Sequence, residues 1–216
     1  MTESALLTWT VVMPVKVLAH AKSRLAVLAG PRRPDLALAF ASDTATAVLA
    51  CPEVTRVVVV TSDLAAARQL TALGAVVVPD EPEDGLNAAL SHGAAVASRR
   101  WPGSGVAALA ADLPALRPLE LSRALRAAAT FPSSFVPDAA GIGTTMYATA
   151  PGMGFRPMFG GASRARHASG GVTELTVDDI PGLRRDVDTP DDLRAAIALG
   201  TGFRTTALAG ELLAAS

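Results

Sequence analysis

The chain has 216 residues, half of them hydrophobic, and a formal net charge of −1. That is material for one sizeable core, so a single α/β domain over 1–216 is the expectation. Without a basic excess, nucleic-acid binding through counterion release is excluded, and a lone cysteine, Cys51, excludes an internal disulfide and a cysteine-built metal site.

The opening stretch, MTESALLTWTVVMP, carries acidic Glu3 where a secretory leader would carry basic residues. Its apolar run is far short of the ~20 residues of a membrane span, and a cytoplasmic protein is expected. Apolar runs rich in β-branched residues then alternate with longer alanine-leucine stretches, the pattern of parallel strands covered by helices. The first strand is Trp9 to Val15. A polar loop follows, then a helix from near Pro34 to just before Cys51-Pro52. Arg56 to Thr61 contains VVVV, a strand buried on both faces, and Ser62 or Asp63 can cap the helix running on to Leu73. Gly74 stops that helix, Ala75 to Val78 is a third strand, and Pro79 to Gly85 is an acidic turn-rich loop. Leu86 to Arg99 is helical, with Asn87 at its start. Val106 to Ala110 is a fourth strand leading into Asp112-Leu113-Pro114, and Pro118 to Thr130 is again a helix.

From Ser133 to Arg185 the helical period fades, and short strands such as SSFVPD and TTMYAT alternate with glycine-rich loops. This reads as an inserted lid or antiparallel extension at about 133–185. Regular structure returns at Leu183 to Val187. Thr189-Pro190-Asp191-Asp192 opens a last helix with proline in its first turn.

Four segments carry chemistry. Lys16, Lys22 and Arg24 put three cations within nine residues, with Ser23 between them, where the first strand ends. Ligands of open parallel sheets gather at those strand ends, so this loop suits a polyanion such as a triphosphate. It is neither a P-loop nor a dinucleotide turn, and its bland reading is a solvated basic loop. Asp112, leaving a buried strand at the same end, is placed to hold Mg²⁺ against phosphates, unless it simply caps the next helix. In Asp186-Val187-Asp188 the two carboxylates fall on one side of an extended segment and can converge on a metal. Helix capping would account for Asp188 but leave Asp186 without a task. Lastly, Gly141-Ile142-Gly143-Thr144 and Phe159-Gly160-Gly161-Ala162-Ser163-Arg164-Ala165-Arg166-His167 offer glycines and hydroxyls near a helix start, which suits a phosphate or carboxylate. His167 reads as a packed or surface histidine.

In this order, P-V-K with K-S-R-L, D-L-P, G-x-G-T, F-G-x-x-S-x-x-R-H and D-V-D-T-P resemble the guanylyltransferases of coenzyme F420 biosynthesis, the 2-phospho-L-lactate guanylyltransferase family, which includes members using phosphoenolpyruvate. The resemblance runs from about Met13 to Leu199. It implies a Rossmann-like, GT-A-like nucleotidyltransferase fold: three α/β/α layers, a mostly parallel central sheet and a small antiparallel insertion. It also implies GTP as donor, Mg²⁺ as cofactor and a small phosphorylated acid as acceptor. Carried over by motif, Asp112, Asp186 and Asp188 correspond to metal ligands, and Thr144, Gly160 and Ser163 to the acceptor pocket. Lys16, Lys22, Ser23 and Arg24 correspond to the triphosphate loop, with Lys16, Lys22, Arg24 and Asp112 as the catalytic set and Asn87 as a nucleoside contact. Two positions depart from the pattern: Ala111 stands where a glycine is expected, and Arg164 where a small polar residue is usual. The alanine-, arginine- and proline-rich composition is of the actinobacterial kind associated with phosphoenolpyruvate, the favoured acceptor over 2-phospho-L-lactate and 3-phospho-D-glycerate. The rivals are a sugar-phosphate or molybdenum-cofactor nucleotidyltransferase, a glycosyltransferase, and a non-enzymatic nucleotide-binding module. A homodimer is the default assembly.

Overall fold

The structure is a computed structural model that describes residues 7–81 and 83–214. Glu3 with the rest of the first six residues, Pro82 of the 79–85 loop and the last two residues lie outside the described residues.

In chain order the elements are β1 (Trp9–Pro14), α1 (Ala26–Ala29), α2 (Arg33–Leu49), β2 (Val54–Val60), α3 (Leu64–Leu73), β3 (Val76–Val78), α4 (Leu86–Arg100) and β4 (Gly105–Leu109). They continue with α5 (Pro118–Ala128), β5 (Ser133–Pro137), β6 (Thr144–Thr149), α6 (Ser163–Ser169), β7 (Thr173–Glu174), α7 (Pro181–Arg184), α8 (Pro190–Leu199) and α9 (Phe203–Ala214). The strands form one sheet in the order β3-β2-β1-β4-β6-β5-β7. β3, β2, β1 and β4 run parallel, β6 lies antiparallel to both β4 and β5, and β7 is parallel to β5. The expected α/β class with a mostly parallel sheet is what the chain adopts.

Alternation of side chains along the strands builds two cores. Val11, Met13, Val57 and Val59 face α2, α3 and α5 through Ala41, Ala45, Leu70 and Leu121. Val12, Val58 and Val60 face α4 through Ala89, Leu90 and Ala94. A third cluster on the outer side of α2 joins Leu36 and Phe40 to Leu193 of α8 and Leu208 and Leu212 of α9.

Most boundaries shift from the sequence expectation by one to three residues, as hydrogen-bonded ends do. Two differences are larger. The helix opened by Thr189 is not the last, because α9 follows it. Its first N–H groups, Arg204 and Thr205, donate to the Asp43 carboxylate at 3.2 and 2.7 Å, so its cap comes from α2. After α7 the Arg185–Thr189 stretch is irregular rather than regular. Residues 133–185 are built into the sheet as β5, β6 and β7, and β6 supplies the antiparallel strand. The loops of this region, around Gly143 and Gly160, rim a cavity at the end of β1 and β4.

Candidate active site

That cavity has a volume of about 630 Å³. It opens where β1 and β4, adjacent parallel strands, end, the place where the connection leaving β1 toward β2 and the one leaving β4 toward β5 run in opposite directions across the sheet. Lys16, Lys22, Ser23, Arg24, Asp112, Thr144, Gly160, Ser163, Asp186 and Asp188 all line it. Among the expected site residues, Asn87 alone is not part of that lining.

The basic loop is pinned rather than merely solvated. Asp63 caps α3 by accepting from the Ala65 and Ala66 N–H groups, and its second oxygen accepts the Leu18 N–H at 2.9 Å. Arg33 donates to the carbonyls of Ala21 and, at 2.7 Å, Ala19. Lys22 is held in the left-handed region, φ 54° and ψ 43°, an uncommon conformation for a residue with a Cβ. Its ammonium donates to Asp112 and, at 2.7 Å, to Asp188. Burial works against that charge, yet the two carboxylates prevail and hold its pKa above the ordinary lysine value.

Two backbone features gather the acids. Val187 is fully buried in the α2–α8–α9 cluster, so the carboxylates on either side of it turn toward the cavity. Its N–H donates to the Asp112 carbonyl at 3.1 Å, joining the end of β4 to the D-x-D segment. Upstream, the buried Glu120 carboxylate accepts from the Gly182 and Leu183 N–H groups at 3.3 and 2.9 Å. Gly182 is required there, because a Cβ would stand 2.2 Å from the Ala115 carbonyl oxygen.

The capping alternatives fall away on geometry. α5 begins at Pro118 with Arg117 before it, too far along the chain for Asp112 to cap. α8 is capped by Thr189 and Asp192 through a reciprocal pair of bonds, leaving the Asp188 carboxylate to Lys22. Burial pushes the Asp186 carboxyl up, and the neighbouring carboxylates Asp112, Asp188 and Asp138 push further, to about 7. Asp188 is also raised by burial, but Lys22, with Arg24 and Lys16 beyond it, brings it below the usual carboxylate range.

Across the cavity, Thr144 opens β6 and Ser163 opens α6; both are buried, and the Ser163 hydroxyl donates to Thr144 Oγ1 at 3.1 Å. Gly160 and Gly161 adopt positive φ, 94° and 47°, which brings bare backbone to the rim. His167 is fully buried, stacks on Phe135 and Tyr147, and sits 3.0 Å from Thr144 Oγ1 through Nδ1. Burial chiefly, and the Arg166 charge, lower its pKa to about 4, with a smaller opposing pull from the Ser163 backbone. It is the packed histidine that the sequence suggested, not an exposed base.

Asn87 is positioned differently from expectation. Both ends of its amide are taken by Phe159, donating to the carbonyl at 3.1 Å and accepting from the N–H at 2.8 Å, so it ties α4 to the Gly160 loop. Arg164 likewise turns aside, donating to Glu174 and to the Gly141 carbonyl, and Ala111 lines the cavity. Sequence reasoning passed over Asp138, whose two oxygens accept from Ile142 and Gly143 N–H at 2.8 Å each and fold the loop before Thr144. An aspartate ending the SSFVPD strand was the available signal.

Among the described residues, no group of three or more His, Cys, Asp or Glu side chains stands ready-made to hold a metal ion. The Lys22 ammonium lies between two of the three carboxylates. The donor chemistry fits a hard divalent cation all the same: all-oxygen acids crowded enough to disturb one another's ionisation call for positive charge.

A model of the MobA-like NTP transferase domain matches residues 36–167. A protein of Thermomonospora curvata named phosphoenolpyruvate guanylyltransferase is 60% identical over 215 residues, spanning 100% of this chain and 94% of its own. Another so named, from Streptomyces coelicolor, is 60% identical over 208 residues, spanning 96% and 98%. Among solved structures, one from Desulfovibrio desulfuricans G20, described as a nucleotide-diphospho-sugar transferase, matches with a TM-score of 0.72 at 18% identity over 95% of each chain. Rv0371c of Mycobacterium tuberculosis, solved as a complex with manganese, matches at 0.52 with 21% identity, over 89% of this chain and 98% of its own. The two structures speak to the fold alone.

Proposed function

Since this chain belongs to the phosphoenolpyruvate guanylyltransferases, which are built on the MobA-like NTP transferase domain, we infer that its cavity joins a guanylyl group from GTP to phosphoenolpyruvate. The observation that carries the site assignment is the convergence of Lys22 on Asp112 and Asp188 in a cavity lined on its other side by Thr144 and Ser163. One side offers cations and acids for a metal-bound triphosphate, the other hydroxyls and backbone for a small anion.

In this reading Lys16, Lys22 and Arg24 receive the triphosphate, with Ser23 at the rim, and Thr144, Ser163 and the Gly160 backbone hold the acceptor. A phosphate oxygen of phosphoenolpyruvate attacks the α-phosphorus of GTP. The new P–O bond forms as the α–β bridge breaks, pyrophosphate leaves, and enolpyruvoyl-2-diphospho-5′-guanosine remains. The attacking phosphate is already ionised at neutral pH, so no protein base or nucleophile is needed. Positioning and charge stabilisation carry the rate. Asp112, Asp186 and Asp188 would hold Mg²⁺, which supplies neutralisation of phosphate charge when bound. For the carboxylates to do so, the Lys22 ammonium gives up its place between Asp112 and Asp188 and turns to the phosphates. The product would serve coenzyme F420 biosynthesis.

The test is incubation with GTP and Mg²⁺ plus phosphoenolpyruvate, 2-phospho-L-lactate or 3-phospho-D-glycerate, each alone, with mass spectrometry of the products. The expected result is the guanylylated enol acid with pyrophosphate; product from another acid and none from phosphoenolpyruvate overturns the acceptor assignment.

A further inference from the structure

We propose that His167 is a positioning residue of the acceptor pocket: it makes the Thr144–Ser163 hydroxyl pair a net donor toward the cavity and pins the backbone beside Gly160. This rests on the reading of Thr144, Gly160 and Ser163 as the pocket for the acceptor's anionic groups.

The argument is a count of protons. His167 follows Ser163 by one helical turn of α6, so both side chains lie on the face turned to β6. A fully buried imidazole must satisfy both nitrogens. The Met158 N–H donates to Nε2 at 3.0 Å, which that nitrogen can accept only while unprotonated. The ring's single proton is therefore on Nδ1, 3.0 Å from Thr144 Oγ1 and also drawn on by the Ser163 backbone, so Nδ1 cannot accept from the threonine hydroxyl. Ser163 Oγ and Thr144 Oγ1 share one further contact at 3.1 Å. Two hydroxyls bring two protons, and their mutual bond uses one. Because the histidine donates rather than accepts, the other proton stays available, and both residues line the cavity. The reverse tautomer would turn Nδ1 into an acceptor and draw that proton away from an incoming anion.

The ring is fixed in this role. Stacking on Tyr147 and Phe135, with centroids at 5.1 and 5.3 Å, and an edge contact to Phe159 at 5.8 Å prevent it from turning over. Its lowered pKa keeps it neutral at neutral pH, so Nε2 continues to accept from Met158. That bond in turn anchors the residue two before Gly160, and Arg166 donates to the Gly160 carbonyl from the same helix.

The experiment is a double-mutant cycle on the full chain with His167→Phe, Thr144→Val and the pair, following pyrophosphate release at varied phosphoenolpyruvate and varied GTP, alongside melting temperatures. Phenylalanine keeps the stacking and removes both hydrogen bonds. His167→Phe removes the Nδ1–H that orients the Thr144 hydroxyl and the acceptor that holds Met158, so it should raise KM for phosphoenolpyruvate several-fold, up to about the tenfold of one hydrogen bond to a charged group, and leave KM for GTP unchanged. Thr144→Val should do the same, and the double variant should fall short of the product of the two single effects, because one of the ring's two bonds acts through that hydroxyl. His167→Gln, whose amide can donate and accept, should recover part of the loss; if the phenylalanine variant does not fold, a rise in KM for phosphoenolpyruvate alone in His167→Asn replaces it. A His167 variant that lowers the melting temperature but keeps the parental KM overturns the proposal, as do equal rises for both substrates or effects that multiply in the double variant. Thr144→Val with unchanged KM sinks the pocket reading and the proposal together. Thr144→Val impaired beside unimpaired His167 variants sinks the proposal alone.

Discussion

Replacing Asp188 with asparagine should separate function from folding, because the structure gives this carboxylate almost no architectural work. Its one strong partner is Lys22, 2.7 Å away, and the Asp188 side chain is 53% exposed, so the pair is worth about 1 kcal/mol at most. The start of α8 does not depend on it, since Thr189 and Asp192 cap each other. With a urea dependence of about 2 kcal/mol per molar, the unfolding midpoint should fall by no more than about 0.5 M. Catalysis should suffer far more. Removing one charge that organises the triphosphate should cost on the order of 10²–10³ in kcat, the scale seen when a single preorganised electrostatic partner is lost. The assay is pyrophosphate release at saturating GTP, phosphoenolpyruvate and Mg²⁺, paired with urea titration. Turnover close to that of the parent protein, with a native-like midpoint, would refute the assignment of Asp188 to the metal.

Asp186→Asn should go further in the same direction: neutralising a carboxylate crowded by Asp112, Asp188 and Asp138 leaves stability equal or higher while turnover collapses. Thermal melting and the same activity assay check it. Gly182→Ala should cost about 1–3 kcal/mol in chemical denaturation, because its Cβ meets the Ala115 carbonyl at 2.2 Å and the Glu120 carboxylate at 2.7 Å; it should also slow turnover by displacing the segment leading to Asp186. On acidification from pH ~6.5 toward 4 the His167 contribution to stability should decline, against an opposing gain from Asp186, whose raised pKa makes the folded state take up a proton before the unfolded chain does. The unfolded chain protonates His167 near the ordinary 6.5 and the folded chain only near 4, so the folded state loses at most about 3 kcal/mol across that window. Urea midpoints measured at several pH values should show His167→Phe gaining on the parent protein as the pH falls across that window, with the Asp186 contribution common to both. Chelation of divalent ions should abolish pyrophosphate release, and added Mg²⁺ or Mn²⁺ should restore it.

Features written locally in the chain were legible in advance. The valine runs of β1 and β2, the proline at the head of α5 and the capping sequence of α8 are short-range signals, and the structure follows them. The D-x-D alternation also worked, because Val187 belongs to a core and its neighbours must then point elsewhere. Features resting on distant partners were not legible. The first N–H groups of α9 are taken by Asp43 of α2, far away in the chain. Asn87 looked available until the Phe159 backbone took both ends of its amide. Asp138 acts through a loop whose closure no spacing rule announces. That Lys22 would reach two acids at once depends on how β4 and the Asp186–Asp188 segment meet, which is a property of the sheet order.

The bond from Lys22 to Asp188 joins residues 166 positions apart. While the protein is being synthesised, β1 to β6 can all leave the ribosome before the segment that finishes the triphosphate site has been made. If Asp186 and Asp188 serve the metal as proposed, the nascent chain can thus bury most of its core and still have no means of consuming GTP. A truncated product ending before Asp186 would inherit the same inertness: every strand of the sheet present, and catalytically silent. On that proposal competence arrives only with about the last seventh of the polypeptide, and an unfinished chain does no chemistry.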